Sequence, residues 1–388
     1  MAFSLKDFFS NIKSANEPSA IGIDIGSSSI KVVQLKRKEG RAILETYGEI
    51  VLGPYAGTEA GRATNLQSEK LQEAISDLMR EANVTTKNAA LSIPFSSSLI
   101  SIVQMPDLGE KKLAEMIPIE ARRYIPVPIS EVSLDWWVVP KSKYDLKSPE
   151  DVELSDNSQH TIGSRIGEKK QQDVGKVDVL LVAILNEAIS KSQSIVRGLD
   201  LQNVFFEIEV FSTMRSAVDQ GVEPVMILDM GAGNTKLYIV EHGIIRDTHI
   251  INRGSQDITL ALSKALNVSV DRAEEIKRTV GMSTDPQDRA INETITLSLD
   301  FMFSEANQVL LSFERKYNRT ISKVVLAGGG STMRGFIEAA KIHFQSEAIL
   351  ADPFSKVVSP AFLEPILKEV GPEFAVAVGV ALRKLSQQ

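Results

Sequence analysis

The stretches I-D-I-G-S-S-S-I-K (residues 23–31) and L-D-M-G-A-G-N-T-K (residues 228–236) repeat one pattern: an apolar run ending in Asp-x-Gly, then a small turn rich in hydroxyl or amide side chains. This is the signature of a duplicated phosphate clamp. Glycine lets the backbone approach a phosphate and turn its N–H groups toward the oxygens. Hydroxyls add donors, and the aspartate can hold a metal ion through its water shell. The reading that follows is a nucleoside triphosphate bound between two lobes.

Each turn sits in the same larger pattern. Residues 20–26, 29–36 and 42–52 alternate or run apolar and read as three consecutive antiparallel strands. Residues 68–82 read as a helix with Leu71, Ile75, Leu78, Met79 and Ala82 on one face, and with Ser68 and Glu69 as its N-terminal cap. Residues 88–93 form a fourth strand. In the second half, strands are predicted over 225–230, 236–240 and 244–251, with a Glu-His-Gly turn between the last two. Amphipathic segments follow over about 255–281 and 291–317, then a buried strand over 323–327 that runs into Gly328-Gly329-Gly330, and a helix over 332–344.

Between the halves lies an insertion, read as strand (99–105), helix (110–124), a strand containing Trp136 and Trp137, and the run 177–185. Adjacent strand residues point to opposite faces, so one tryptophan belongs to a core and the other to a surface. The connecting residues 141–176 are charged and poor in apolar side chains, a composition that cannot offset its ordering entropy and predicts a mobile loop.

Composition bounds the function. The chain has 388 residues, 43% of them hydrophobic, enough for two or more cores. No cysteine is present, which excludes disulfides, thiolate metal sites and cysteine nucleophiles. The four histidines are scattered without ligand spacing, so the chemistry rests on carboxylates, hydroxyls and backbone. A net charge of −7 argues against a nucleic-acid partner. The longest apolar runs, 179–185 and 374–382, fall short of the ~20 residues of a membrane span. With no signal peptide recognised, a cytoplasmic location is expected.

The paired Asp-x-Gly turns, the triple glycine after a buried strand and a small-residue helix over 374–382 resemble the superfamily of actin, sugar kinases and heat-shock chaperone ATPases. Within it, K-D-F-F-S-N-I-K (6–13), G-I-D-I-G-S-S-S-I-K-V-V (22–33), R-R-Y-I-P-V-P-I-S-E-V-S-L-D-W (122–136) and V-D-V-L-L-V-A (177–183) resemble the PilM family of type IV pilus assembly. The likeness implies an α/β, actin-like ATPase fold: two duplicated ribonuclease-H-like lobes around a nucleotide cleft, with the strand-helix-strand-strand module inserted in the first. The expected division is a leader (1–19), a first lobe (20–98 and 185–220), the module (99–184, with its loop at 141–176), a second lobe (221–371) and a C-terminal helix (372–388) returning to the first.

The resemblance also implies residue roles. Asp24 and Asp229 face each other and orient Mg2+ through water, and Lys31 offsets phosphate charge. Gly26, Ser27, Ser28, Gly231, Gly233, Asn234 and Thr235 supply donors to the phosphates of ATP. Glu274 binds ribose hydroxyls, Lys277 lies over the purine, and Gly328, Gly329 and Gly330 offer bare backbone to the adenosine. Glu209 stands where relatives orient the attacking water. Plainer readings stand beside these: Lys31 as a solvated strand residue, Glu274 and Lys277 as a surface ion pair, Glu209 as structural.

The implied function is an ATP-binding scaffold with slow or absent hydrolysis, peripheral to the inner face of the cytoplasmic membrane. It would bind the cytoplasmic N-terminal tail of a PilN-like partner within the inner-membrane pilus assembly complex, in a groove between first lobe and module near Arg122, Arg123 and Tyr124. The alternatives are a filament former resembling FtsA, whose family carries an amphipathic C-terminal membrane helix where this chain ends Leu385-Ser-Gln-Gln, and a small-molecule kinase of the superfamily.

Overall fold

Three strands, β1 (Ser19–Ile25), β2 (Ser29–Lys38) and β3 (Arg41–Val51), form an antiparallel meander. Its β2–β3 corner is the two-residue turn Glu39-Gly40, both with positive φ, the conformation whose twist matches that of paired strands. β4 (Asn88–Ile93) then lies parallel to β1. After β5 (Ser98–Pro106), β6 (Val132–Val138) and β7 (Lys176–Leu185), the chain returns as β8 (Gln202–Ile208), parallel to β4. The sheet order is β3-β2-β1-β4-β8.

The second half repeats this plan strand for strand. β9 (Val225–Met230), β10 (Thr235–Glu241) and β11 (Ile244–Ile251) are an antiparallel meander, and its β10–β11 corner, His242-Gly243, again has two positive φ values. β12 (Lys323–Ala327) runs parallel to β9, and β13 (Glu347–Leu350) parallel to β12, for an order of β11-β10-β9-β12-β13. The computed structural model describes residues 18–140, 175–219 and 221–387. Most of the leader and of the loop expected at 141–176 lie outside these.

Helices cover the sheets. In the first half α1 (Ser68–Glu81) buries Leu71, Ile75 and Leu78 against Ile21, Ile23 and Val32. Its start differs from expectation: Ser68 is already helical, Gln67 is the N-cap and no side chain caps the end. α2 (Glu110–Glu120) is shorter than predicted, because the chain tightens into a 3-10 turn at Ala121–Arg123 before Pro126. α3 (Asn186–Gly198) and α4 (Glu209–Ala217) flank β8. The amphipathic segment predicted from 255 to 281 is two helices, α5 (Ser255–Leu266) and α6 (Val270–Thr279). Asn267 breaks it with φ 53°, and Ser269 caps the second helix by accepting from the Arg272 N–H.

α7 (Arg289–Tyr317) lays Leu299, Phe303, Ala306 and Phe313 into the core of the second sheet. The helix predicted from Thr332 begins later, as α8 (Phe336–His343). A 3-10 turn over Gly329–Thr332 and Gly335 at φ 83° come first. After α9 (Glu364–Val370), the closing helix α10 (Ala375–Ser386) packs on β1 and β2 through Ala377, Val378, Ala381 and Leu385. Small residues allow this: a Cβ at Gly22 would stand 2.2 Å from Ala377 O, and one at Gly379 would stand 1.9 Å from Ser212 O.

By contacts the chain divides into Leu99–Leu185 and the remainder. The smaller unit is a three-stranded sheet, β5-β7-β6, with its own core of Val103, Met105, Leu113, Ile117, Val179 and Leu181. Trp136 packs against this core and Trp137 is half exposed, the two faces of one strand. Among the described residues, no helix is long and apolar enough to cross a membrane.

Candidate nucleotide site

The two Asp-x-Gly turns are built alike at atomic level. In the β1–β2 hairpin Asp24 pairs with Lys31, and in the β9–β10 hairpin Asp229 pairs with Lys236. Gly26 N–H donates to Ser29 O at 3.0 Å, and Gly231 N–H to Asn234 O at 3.0 Å. The turns meet: a Cβ at Gly233 would lie 3.5 Å from Ser27 Oγ. The segment after β3 crosses them, with Thr64 N–H donating to Ser27 O at 2.8 Å. Ala63 N–H donates to Gln256 Oε1 and Ala60 N–H to Asp271 Oδ1, both at 3.0 Å, which ties the first half to α5 and α6.

Charge is concentrated where the turns converge. Ser92 Oγ donates to Asp24 Oδ1 at 2.7 Å; burial pushes the Asp24 carboxyl up, Ser92 and the lysines oppose this, and the negative charge of Asp229 adds to it. Lys31 is buried rather than solvated. Its Nζ donates to Ser29 Oγ at 2.7 Å and Glu49 Oε1 at 2.8 Å, with Glu373 Oε2 at 3.9 Å. Burial opposes its charge, but these carboxylates hold it above the ordinary lysine range. Lys236 Nζ lies 2.7 Å from Glu209 Oε2 and 3.6 Å from Asp229 Oδ2, and there too the carboxylates outweigh burial and raise the lysine.

Glu209 opens α4 with both oxygens engaged, since Oε1 accepts the Phe95 N–H at 2.6 Å. Burial pushes its carboxyl up, Lys236 opposes, and Asp229 and Asp24 add to the rise. Thr235 departs from the expected donor set: its hydroxyl turns away from the clamp, donating to Arg253 O at 2.9 Å and lying 3.6 Å from Met302 Sδ in the core.

Glu274 and Lys277 are a buried ion pair at 2.6 Å, each 6% exposed, not a surface pair. Glu274 also accepts from Thr259 Oγ1 at 2.7 Å and Arg278 Nε at 2.8 Å. Burial resists its charge, yet these partners depress its carboxyl value. Lys277 is lowered as well: burial disfavours its charge, Glu274 opposes this, and the like charge of Arg278 adds to the lowering. Gly61, at φ 82°, lies against this pair, and a Cβ there would be 2.7 Å from the Glu274 carboxyl carbon.

The triple glycine has a packing cause of its own. A Cβ at Gly328 (φ 81°) would stand 2.5 Å from Asp229 Oδ1, and one at Gly330 would stand 2.4 Å from Met230 Cγ. Gly328 N–H donates to Pro372 O, and Thr332 Oγ1 donates to Glu373 Oε1 at 3.0 Å, so this turn joins the same charged belt.

Reasoning from sequence missed Lys236, Glu49, Glu373 and Ser92. The signal for Lys236 was present, since it follows Asp229 by the spacing that separates Lys31 from Asp24. Among the described residues, no three His, Asp or Glu side chains gather closely enough to hold a metal directly.

The profile of the family described as type IV pilus assembly protein PilM matches residues 22–168 and 161–385. Among solved structures, the chain resembles one in a PilM-PilN type IV pilus biogenesis complex, with TM-score 0.74, 24% identity, and coverage of 94% of this chain and 98% of that one. It resembles MreB5 of Spiroplasma citri bound to AMPPNP with TM-score 0.51 and 10% identity, over 95% and 96% of the two chains. Among curated relatives, the cell division protein FtsA of Pseudomonas aeruginosa is 23% identical over 395 residues, covering 95% of this chain and 89% of its own. The structural likenesses establish the actin-like ATPase fold with its two duplicated lobes.

Proposed function

Because the chain belongs to the PilM family of type IV pilus assembly proteins, we propose that it is a nucleotide-binding scaffold of the pilus assembly machine. It takes ATP with Mg2+ between its Asp-x-Gly turns and receives the cytoplasmic tail of an inner-membrane partner of the PilN kind. The convergence of two identically built turns on one charged centre carries the nucleotide reading. That the similar MreB5 was solved with AMPPNP supports it.

In this reading Asp24 and Asp229 hold Mg2+ through its water shell, and Gly26, Ser27, Ser28, Gly231, Gly233 and Asn234 line the phosphates. Lys31 offsets phosphate charge, Glu274 and Lys277 meet the ribose and base, and the backbone of Gly328, Gly329 and Gly330 supports the adenosine. Glu209, held at both oxygens, is poorly placed to activate water, which favours binding with slow turnover. The scaffold then works at the inner face of the cytoplasmic membrane, with the partner tail docking at the exposed residues Arg122, Arg123 and Tyr124.

A melting scan tests the nucleotide part. A ligand bound by the native cleft stabilises the fold by about 2.7 kcal/mol at a hundredfold excess over Kd. Mg-ATP is expected to raise the transition more than Mg-AMP does, and Asp24→Ala or Asp229→Ala to remove most of the difference; an unmoved transition refutes the reading. Titration with a synthetic partner tail of roughly 10 to 15 residues tests the second part. The FtsA likeness makes a filament former the alternative. ATP-dependent sedimentation without tail binding would favour it.

A further inference from the structure

The duplicated hairpins do more than repeat their aspartates. Each carries a lysine directly across from its aspartate, and each lysine is seated on a glutamate: Lys31 on Glu49 at 2.8 Å, Lys236 on Glu209 at 2.7 Å. Both ammonium groups are withdrawn from solvent, with side chains 10% and 13% exposed. Lys236 is therefore a buried cation between Asp229 and Glu209, on the strand that leaves the second turn.

We propose that Lys236 is a second phosphate-binding lysine, the counterpart of Lys31, seated on Glu209 until phosphate competes for it. This rests on the nucleotide reading above and assigns it a residue. A triphosphate adds several negative charges to a centre already holding Asp24, Asp229 and Glu209, so it needs a cation from the protein besides its metal. Lys31 is flanked by Glu49 and Glu373 as Lys236 is by Glu209 and Asp229, so each lysine is already shared with carboxylates and the two together supply that charge.

Of the partners in the Lys236–Glu209 pair, the lysine is the one free to move. Glu209 is fixed by the first turn of α4 and by the Phe95 N–H on its other oxygen. Lys236 has a four-carbon stem and rotatable donors. The competition gives the two residues opposite signs in nucleotide binding, which a purely structural ion pair does not.

The experiment is a titration of Mg-ATP into the full chain and its variants, with the melting transition of each recorded without ligand. Lys236→Met is expected to weaken Mg-ATP binding about tenfold, the order of one charge-assisted contact, and Lys236→Arg to stay within about threefold of the parent. Glu209→Gln removes the competing charge and is expected to tighten binding about threefold. If Lys236→Met and Glu209→Gln both weaken binding, or both leave it unchanged while lowering the transition, the pair is structural and the proposal falls. Should Lys236→Met fail to fold, the sign of the Glu209→Gln effect decides alone. A parent chain that binds no Mg-ATP overturns the nucleotide reading and this inference with it, whereas a binding parent with like-signed variants overturns the inference only.

Discussion

At Glu274 three partners, Lys277, Thr259 and Arg278, converge on one buried carboxylate. Removing the charge leaves Lys277 without its counter-ion in a site 6% exposed, so Glu274→Gln is expected to cost about 3 kcal/mol, read from urea unfolding near neutral pH. The pH dependence follows from the direction of the shift. The folded carboxyl lies below its ordinary value of 4.5, so its contribution is in place above 4.5 and is lost as pH falls through the depressed value. Burial resists the charge of Glu49, but Lys31 and Ser29 hold its carboxyl below the ordinary value, so it acts in the same window. Glu274→Gln, which lacks one of these groups, should therefore lose less stability than the parent as pH falls below 4.5. Equal losses would mean that Glu274 does not titrate as its partners dictate.

At the scale of elements, close approach of backbones decides where α10 sits. A Cβ at Gly379 would fall 1.9 Å from Ser212 O on α4, and rigid backbone on both sides leaves little room to yield. Gly379→Ala is expected to destabilise the fold by about 3 kcal/mol or more, seen as a lowered melting transition. Gly175, with no atom within 4 Å of its added Cβ, is the control, expected within about 0.5 kcal/mol of the parent when changed to Ala. The period of apolar residues made the helices legible, but their ends depended on single backbone positions. Asn267 in the left-handed region splits α5 from α6, and Gly335 delays α8, though neither interrupts the apolar pattern strongly.

For the whole molecule, the unit Leu99–Leu185 has its own core and a favourable point of entry. Asp107 N–H donates to Gly175 O at 2.6 Å, so the end of β5 lies beside the start of β7. The neighbouring strands therefore run in opposite directions, and their other ends, Ser98 and Leu185, also come together. Replacing Leu99–Leu185 by a short Gly-Ser linker should leave a folded remainder that keeps the Mg-ATP shift in melting and loses binding of the partner tail. A remainder that unfolds, or that still binds the tail, would contradict this division of labour.

The sequence by itself determined the duplication, because its signals are local. An Asp-x-Gly turn between two apolar runs sets a hairpin, and the hairpin register alone puts Asp24 opposite Lys31 and Asp229 opposite Lys236. The inserted module was legible for the same reason, as short periodic runs in a fixed order. Tertiary structure alone decided what those charges touch. Glu209 meets Lys236 across 27 residues, Glu373 reaches Lys31 from the turn before α10, and the triple glycine closes on Asp229 and Met230. Such partners come within reach only when elements distant in the chain pack together. A buried lysine then takes whichever carboxylates the packing brings within reach, and no local pattern in the chain records that choice.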